Sequence, residues 1–449
     1  MSDALIVSVS GVRGIVGTSL TPEVVERYAK AFGNLMADSG GQNAVVARDA
    51  RVSGPEFAEI VKSALNSAGI SVIDCGLIPT PTAQLAVEHH GAAGGIVITA
   101  SHNPVEWNAL KFVGPDGLFL NSETAQQLFE IVAEPPREKA SIPGTTISDG
   151  AAVDRHLDEL LRLELIDVAA IRRRRFTVAL DCVRGAGGTI MPELLDRLGC
   201  RTVAIDLECD GMFPRPPEPV PENLIGLGEL VVREDADIGI AVDPDVDRLA
   251  VVAESGTPIG EDYTLAFAVR EVLDRRSGVV VTNLSTSLVV EDAAREHNAT
   301  VERAPVGEAN VAALMKSVDA VIGGEGNGGV MLPDLHLGRD APVAAALVLG
   351  LMARSGLSVT ELVQAAPRYS IVKAKVGRQG AMDGIYQALQ RRYPEATVDR
   401  QDGLRLAWSD SWLHVRPSGT EPIVRLIAEA PTHKAAEALV LAAQEHMSS

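Results

Sequence analysis

The sequence predicts three α/β domains of related design, with mainly parallel mixed sheets, followed by a smaller α+β domain. Three observations carry this prediction. At about 150 residues per domain, 449 residues make room for three or four units. A pattern of apolar strand, loop, amphipathic helix, short turn and apolar strand occurs three times, spaced by roughly 100 to 130 residues. The last ~80 residues change rhythm to closely spaced short strands and one helix.

The first copy opens with a β-rich run at 45–47 that enters Arg48-Asp49-Ala50-Arg51-Val52-Ser53-Gly54. Ser53 and Glu56 predict a capping box, with Pro55 in the first turn of a helix ending near Gly69, and 70–74 is the next strand. The second copy runs from a strand at 177–181 through a glycine-rich turn at 184–188 and a helix to Leu198, then a strand at 202–205. The third runs from 279–282 through Asn283-Leu284-Ser285-Thr286-Ser287 and a helix ending near His297, then a strand at 300–304. A further helix is expected over 153–168, and Arg172–Arg175 read as a helix C-terminus, where cations complement the dipole. His89 and His90 also read as helix-end residues. The final segment reads as strands at 371–376, 404–407, 411–415 and 423–429, then a helix from His433. Alternation of strand and helix implies mainly parallel pairing. The expected domains are 1–152, 153–252, 253–367 and 368–449.

Forty basic and sixty acidic side chains leave a net charge of −20. So acidic a chain argues against nucleic acid or an anionic membrane as partner, since phosphates need a basic surface. The longest uncharged apolar run, 341–353, falls short of the ~20 residues that span a bilayer. No basic segment precedes a long apolar stretch at the N-terminus, so no signal peptide is expected. Cys75, Cys182, Cys200 and Cys209 form no C-x-x-C pair and read as reduced structural thiols in a cytoplasmic setting.

Four loops carry chemistry. The first, Ser101-His102-Asn103-Pro104, follows a buried-type strand at 96–100, and the rim of a parallel sheet is where α/β proteins place ligands. Pro104 keeps the loop from closing quickly into a helix, and Lys111 can return to the same place. Alone, a Ser-His pair is more often a turn serine than a nucleophile, and no G-x-S-x-G frame surrounds it. The second loop, Asp243-Pro244-Asp245-Val246-Asp247-Arg248, follows an apolar strand at 238–242. Three alternate carboxylates repel one another unless a cation neutralises them, and oxygen ligands suit Mg²⁺, Ca²⁺ or Mn²⁺. An EF-hand is excluded because Arg248 stands where its glycine belongs, although Glu254 holds the twelfth place.

The third loop, 323–329, has five glycines around Glu325 and Asn327, which lets backbone approach a ligand beside two hydroxyl-binding groups. It lacks the Lys-Ser/Thr ending of a phosphate-binding Walker loop. The fourth, Arg416-Pro417-Ser418-Gly419-Thr420-Glu421-Pro422 with Arg425 beyond, offers a guanidinium fork, hydroxyls and a glycine turn, and so a phosphate cradle. Arg13, in Gly-Val-Arg-Gly, is ambiguous on spacing alone.

In this order, Thr99-Ala-Ser-His-Asn-Pro104, the Asp-x-Asp-x-Asp-Arg loop, the glycine loop and Arg416–Pro422 resemble the α-D-phosphohexomutase superfamily along essentially the whole chain. The resemblance implies four domains around a central cleft, each giving one loop. It implies that Ser101 carries the phosphoryl group, that Asp243, Asp245 and Asp247 hold Mg²⁺ with a phosphoserine oxygen from Ser101, and that Glu325 holds sugar hydroxyls. Arg416, Ser418, Gly419 and Thr420 would grip the idle phosphate. Arg13, Lys111 and His102 would flank Ser101, with Arg248 behind the metal loop. It also implies a sugar-phosphate substrate, a hexose 1,6-bisphosphate primer, and a monomer or homodimer in the cytoplasm.

The glycine loop departs from the family's Gly-Glu-x-Ser-Gly-His: Asn327 replaces the serine and Gly329 the histidine. His336, just downstream, is expected to return to that space for proton transfer. The Glu-x-Asn-Gly-Gly form, with Pro104–Lys111, is similar to the archaeal-type phosphoglucosamine mutase branch. The resemblance therefore implies conversion of glucosamine 6-phosphate to the 1-phosphate, with glucose or mannose phosphate as the alternative. Two other readings remain open: a dehalogenase-type Asp243 nucleophile, and a catalytically dead sugar-phosphate binder.

Overall fold

The structure, a computed structural model, describes residues 4–135, 137–138, 140–377, 382–418 and 423–447. Short apolar runs form its central strands because every position along them is buried, as in Gly95–Ile98 and Ile238–Val242. These strands organise three repeats of one four-stranded unit.

In the first repeat, Asn43–Arg48 lies parallel to both Ser71–Leu77 and Gly95–Ile98, and Gly95–Ile98 pairs antiparallel with Trp107–Val113. The second repeats this with Thr177–Asp181 parallel to Arg201–Ile205 and Ile238–Val242, and Leu249–Ala253 antiparallel on the far side. The third uses Val280–Asn283, Val301–Ala304, Ile322–Glu325 and Gly329–Met331 in the same roles. Strands Ile6–Ser8, Gly11–Ile15 and Thr146–Ser148 widen the first sheet to seven. The last domain is different: five strands, all antiparallel, with helix His433–Glu445 packed on them. The expected α/β and α+β classes both hold.

The repeat has a functional consequence. Residues 99–106, 243–248 and 326–328 all occupy one connection, from the third parallel strand of the repeat into its antiparallel neighbour. The apolar run at 341–353 lies in helix Ala341–Ser355, whose core-facing and outer positions are almost all buried. A helix apolar all round must be covered, and this one lies in a core shared by the second and third repeats.

Two local expectations are corrected. Ser53 does not cap its helix; its Oγ accepts from Asn108 Nδ2 at 2.8 Å, and no capping box forms. A strand partner wins over the local bond. The helix expected over 153–168 stops early: Ala152–Arg162 ends, and Val168–Arg174 begins under an Asp167 cap that accepts from the Ala170 N–H. Buried Leu165 and Ile166 anchor the break. Among the described residues, no helix is long and apolar enough to cross a membrane. All four cysteines are free thiols.

Candidate active site

Ser101 lies just beyond the strand Gly95–Ile98, 7% exposed, with φ at +48°. That left-handed conformation is unfavourable for a serine and needs support from outside the loop. Buried Arg51 supplies it. Its Nη2 donates to the carbonyls of Ser101 (2.7 Å) and Asn103 (2.6 Å), and its Nη1 to those of Pro104 (2.7 Å) and Trp107 (2.8 Å). Nε donates to Asp49 Oδ2 at 3.1 Å, so all the N–H groups of the fork are used. Asp49 also accepts from Thr99 Oγ1, which in turn accepts the Ser101 N–H at 2.9 Å. The Arg51 guanidinium lies over the Phe213 ring at 5.0 Å, so the clamp reaches the second repeat.

The serine faces the acidic loop. Ser101 Oγ donates to Asp243 Oδ2 at 2.8 Å, and Lys111 Nζ donates to Asp245 Oδ2 at 2.7 Å. Thr80 Oγ1 donates to that same oxygen at 2.7 Å. Asp243 Oδ1 accepts the N–H groups of Asp247 and Arg248, which close the loop around a buried Val246 at φ +63°. Burial and the charges of Asp245 and Asp247 push the Asp243 carboxyl well above its ordinary range. Burial pushes on Asp245 too, but Lys111 beside it wins and holds it low.

Three carboxylate oxygens from these residues lie within 4.8 Å of one another. Asp245 Oδ1 and Asp247 Oδ1 are buried without a hydrogen-bond partner. Buried unsatisfied anionic oxygens are costly, and an all-oxygen set suits a hard divalent cation. The residues fit Mg²⁺.

Glu325, at the end of strand Ile322–Glu325, reaches the same cleft. Its Oε1 accepts from Asn283 Nδ2 (2.8 Å) and the Gly307 N–H (3.1 Å), and its Oε2 from Asn327 Nδ2 (3.4 Å) and Arg339 Nη1 (3.0 Å). His336 is a correction. Its Nε2 bonds Asp340 Oδ2 at 2.9 Å, and its Nδ1 accepts the Gly338 N–H at 3.2 Å, so both nitrogens are taken. His156 Nε2 lies 2.9 Å from the same Asp340 oxygen. The space beside Gly329 belongs to Arg339, since a Cβ there would collide with the arginine stem.

Cations from three domains converge. Burial, then the charges of Arg248 and Arg425, lower the Arg13 guanidinium below its ordinary value. Arg13 Nη1 also donates to Asn103 Oδ1 at 3.5 Å. Arg248 pairs with Glu218 at 3.4 Å, and Arg416 Nε lies 3.0 Å from Asp402. The Ser418 N–H donates to the Ile423 carbonyl at 2.8 Å, while Gly419 and Thr420 lie outside the described residues. His102 Nδ1 is 3.3 Å from Ser101 Oγ. The positive charge of Arg248, then burial, hold the imidazole well below its ordinary value, hence neutral.

Arg51, Asp49, Thr80, Glu308 and Arg339 were not singled out from sequence. For Asp49, Arg51 and Arg339 the one signal is charge placed against apolar runs: Arg48-Asp49-Ala50-Arg51 after a strand, and Arg339-Asp340 before the 341–353 stretch.

The chain matches the phosphoglucomutase/phosphomannomutase α/β/α domains I, II and III over residues 5–138, 154–256 and 260–369. It matches the C-terminal domain of that family over 372–445. A phosphoglucomutase/phosphomannomutase of Thermococcus kodakarensis is 38% identical, covering 95% of this chain and 94% of its own. A probable phosphoglucosamine mutase of Methanopyrus kandleri is 35% identical, with 96% and 95% covered. A phosphoglucosamine/phosphogalactosamine mutase of Sulfurisphaera tokodaii is 32% identical, with 96% of each covered. The crystal structure of a phosphoglucomutase/phosphomannomutase family protein from Burkholderia thailandensis superposes with a TM-score of 0.85 at 27% identity, over 98% of this chain and 97% of that one. With all four domains matched in order along nearly its full length, the chain belongs to the phosphoglucomutase/phosphomannomutase family of phosphohexomutases.

Proposed function

We propose that this protein interconverts glucosamine 6-phosphate and glucosamine 1-phosphate through a phosphoserine at Ser101 and a 1,6-bisphosphate intermediate. The observation that carries the mechanism is Ser101 Oγ at 2.8 Å from Asp243, inside a triple-carboxylate loop, with Lys111 on the neighbouring acid. Phosphoryl transfer asks mainly for positioning and for neutralisation of the equatorial oxygens. Bound at Asp243, Asp245 and Asp247, Mg²⁺ supplies part of that neutralisation. Lys111 and Arg13 supply more from the chain itself.

In the forward direction the Oγ–P bond of phospho-Ser101 breaks as a bond from phosphorus to the sugar O1 forms. The O1 proton passes to neutral His102. The bisphosphate turns end for end, Ser101 Oγ bonds the 6-phosphorus as the P–O6 bond breaks, His102 returns its proton to O6, and glucosamine 1-phosphate leaves. Arg416, Ser418, Gly419, Thr420 and Arg425 hold whichever phosphate is idle, and the loop of Glu325 and Asn327, with Arg248 beside it, holds the sugar. An unphosphorylated Ser101 is primed by a hexose 1,6-bisphosphate. The reading includes a monomer or homodimer, and a cytoplasmic setting with which the four free thiols agree.

The choice of sugar rests on Glu325-Gly-Asn327-Gly-Gly and on relatives named for glucosamine phosphate. The Thermococcus relative favours a second reading, glucose or mannose phosphate with the same chemistry. The test is ³¹P NMR of bisphosphate-primed enzyme with Mg²⁺ and each of the three 6-phosphates. Faster 1-phosphate formation from glucosamine 6-phosphate upholds the first reading. Preference for glucose or mannose moves it to the second. No 1-phosphate from any of them sinks the proposal.

A further inference from the structure

Arg339 follows the strand Gly329–Met331, next to the Asp340 cap of helix Ala341–Ser355, and is 8% exposed. Each of its three guanidinium nitrogens meets a different carboxylate. Nε donates to Glu308 Oε2 at 3.0 Å, Nη1 to Glu325 Oε2 at 3.0 Å, and Nη2 to Asp247 Oδ2 at 2.6 Å. The acids come from the first turn of helix Glu308–Val318, the end of strand Ile322–Glu325, and the loop that closes at Leu249. Gly329 lets the stem pass where any side chain would block it.

The consequence falls on Asp247 and Glu325 together. With Oδ2 taken by Arg339, Asp247 has Oδ1 left over, buried and without a hydrogen-bond partner. A planar, rigid fork that binds both acids prevents either from rotating independently. Glu308 on the third nitrogen stops the guanidinium itself from turning. Lys111 Nζ, at 3.8 Å from Asp247 Oδ2, and Arg248 Nε, at 3.7 Å from Asp247 Oδ1, stand too far to do this work.

We propose that Arg339 is a positioning residue that decides which Asp247 oxygen meets a divalent cation and fixes Glu325 in the same frame. The sugar half of this rests on the mutase reading; the metal half does not. Charge alone predicts the opposite of positioning. Removing a cation beside an acidic loop relieves repulsion and tightens metal binding. Losing the fork lets Asp247 rotate and weakens it, as loss of an outer partner typically does by about 10- to 100-fold.

The experiment measures Mn²⁺ binding, by the electron paramagnetic resonance of free Mn²⁺, to the full chain and to Arg339→Lys, Arg339→Gln and Gly329→Ala. Turnover is followed alongside. Gly329→Ala displaces the stem without touching its charge and stands in should the others fail to fold. All folded variants are expected to bind Mn²⁺ about tenfold more weakly and to raise the KM for sugar phosphate. Binding by Arg339→Lys or Gly329→Ala equal to the parent, or tighter binding by Arg339→Gln, overturns the proposal. Weakened Mn²⁺ binding in variants of a parent that shows no mutase turnover would refute the mutase reading and leave the metal half standing.

Discussion

The serine loop at 99–106 and the glycine loop at 326–328 fill the same connection of the same repeated unit, yet they are held in opposite ways. Arg51 holds the first chiefly by its backbone, through four carbonyl oxygens and one carboxylate. Arg339 works beside the second and on charges, through the carboxylates of Glu325 at its edge, Glu308 and Asp247. The first clamp fixes the path of a loop that carries Ser101, the nucleophile of the proposed mechanism, at φ +48°. The second fixes the orientation of acids whose backbone is already set by a helix, a strand and the closed loop at 243–248. One topology thus serves two needs by changing what its buried arginine grips.

The largest effect should come from breaking the backbone clamp. Arg51→Ala is expected to slow phosphorylation of Ser101 by bisphosphate at least ~100-fold, because a small misplacement of the nucleophile costs that much. The KM for sugar phosphate should hardly change, since the gripping residues lie in other domains. Millimolar guanidine should restore part of the rate and methylammonium should not, because only the planar fork reaches all four carbonyls. Equal rescue by both would reduce Arg51 to a charge. Next in size, Asn327→Ser tests the other loop. It should shift the ratio of kcat/KM for glucosamine 6-phosphate over glucose 6-phosphate by about tenfold, the scale of one altered pocket contact. An unchanged ratio would remove Asn327 from sugar selection.

In both loops the site residues were legible in the sequence and the buried arginine beside them was not. Ser101, the three aspartates and Glu325 were visible because their residue types sit at the ends of apolar strands, where α/β sheets expose ligands. The three repeats were visible through their strand and helix periodicity. Neither clamp was, since Arg51 reaches carbonyls 50 to 56 positions away and Arg339 reaches acids 14 to 92 positions away, and no local pattern records a tertiary bond. Ser53 failed for the same reason, its local cap losing to Asn108 across the fold. His336 misled because proximity in sequence to Gly329 was the one cue available, while the space went to Arg339.

His336 now serves as a control. Both ring nitrogens are committed, Nε2 to an aspartate that also caps helix Ala341–Ser355 through the Val343 N–H. His336→Gln should therefore leave the pH dependence of kcat unchanged from pH 6 to 8. Thermal unfolding should show a loss of about 1 to 2 kcal/mol from the broken buried bond. A lost or displaced limb in the pH profile would return His336 to proton transfer.

The smallest effect lies beneath the glycine loop, where Asp262 offers a contrast with Asp49 beneath the serine loop. Asp49 is bonded by Arg51 and Thr99, whereas Asp262 accepts the Ser287 N–H and packs against Gly326. Burial, then the charge of Glu261, raise the Asp262 carboxyl to about 8. An acid whose folded pKa exceeds its unfolded value binds extra protons in the native state. Its burial costs nothing in pH-dependent stability at low pH. The cost grows as pH climbs from the unfolded carboxylate range toward 8 and then levels off. Asp262→Asn keeps the acceptor oxygen and removes the titration. The excess of its melting temperature over the parent's should be smallest near pH 3 and grow by a few degrees up to pH 8. A difference that stays constant between those pH values would mean that Asp262 is ionised throughout.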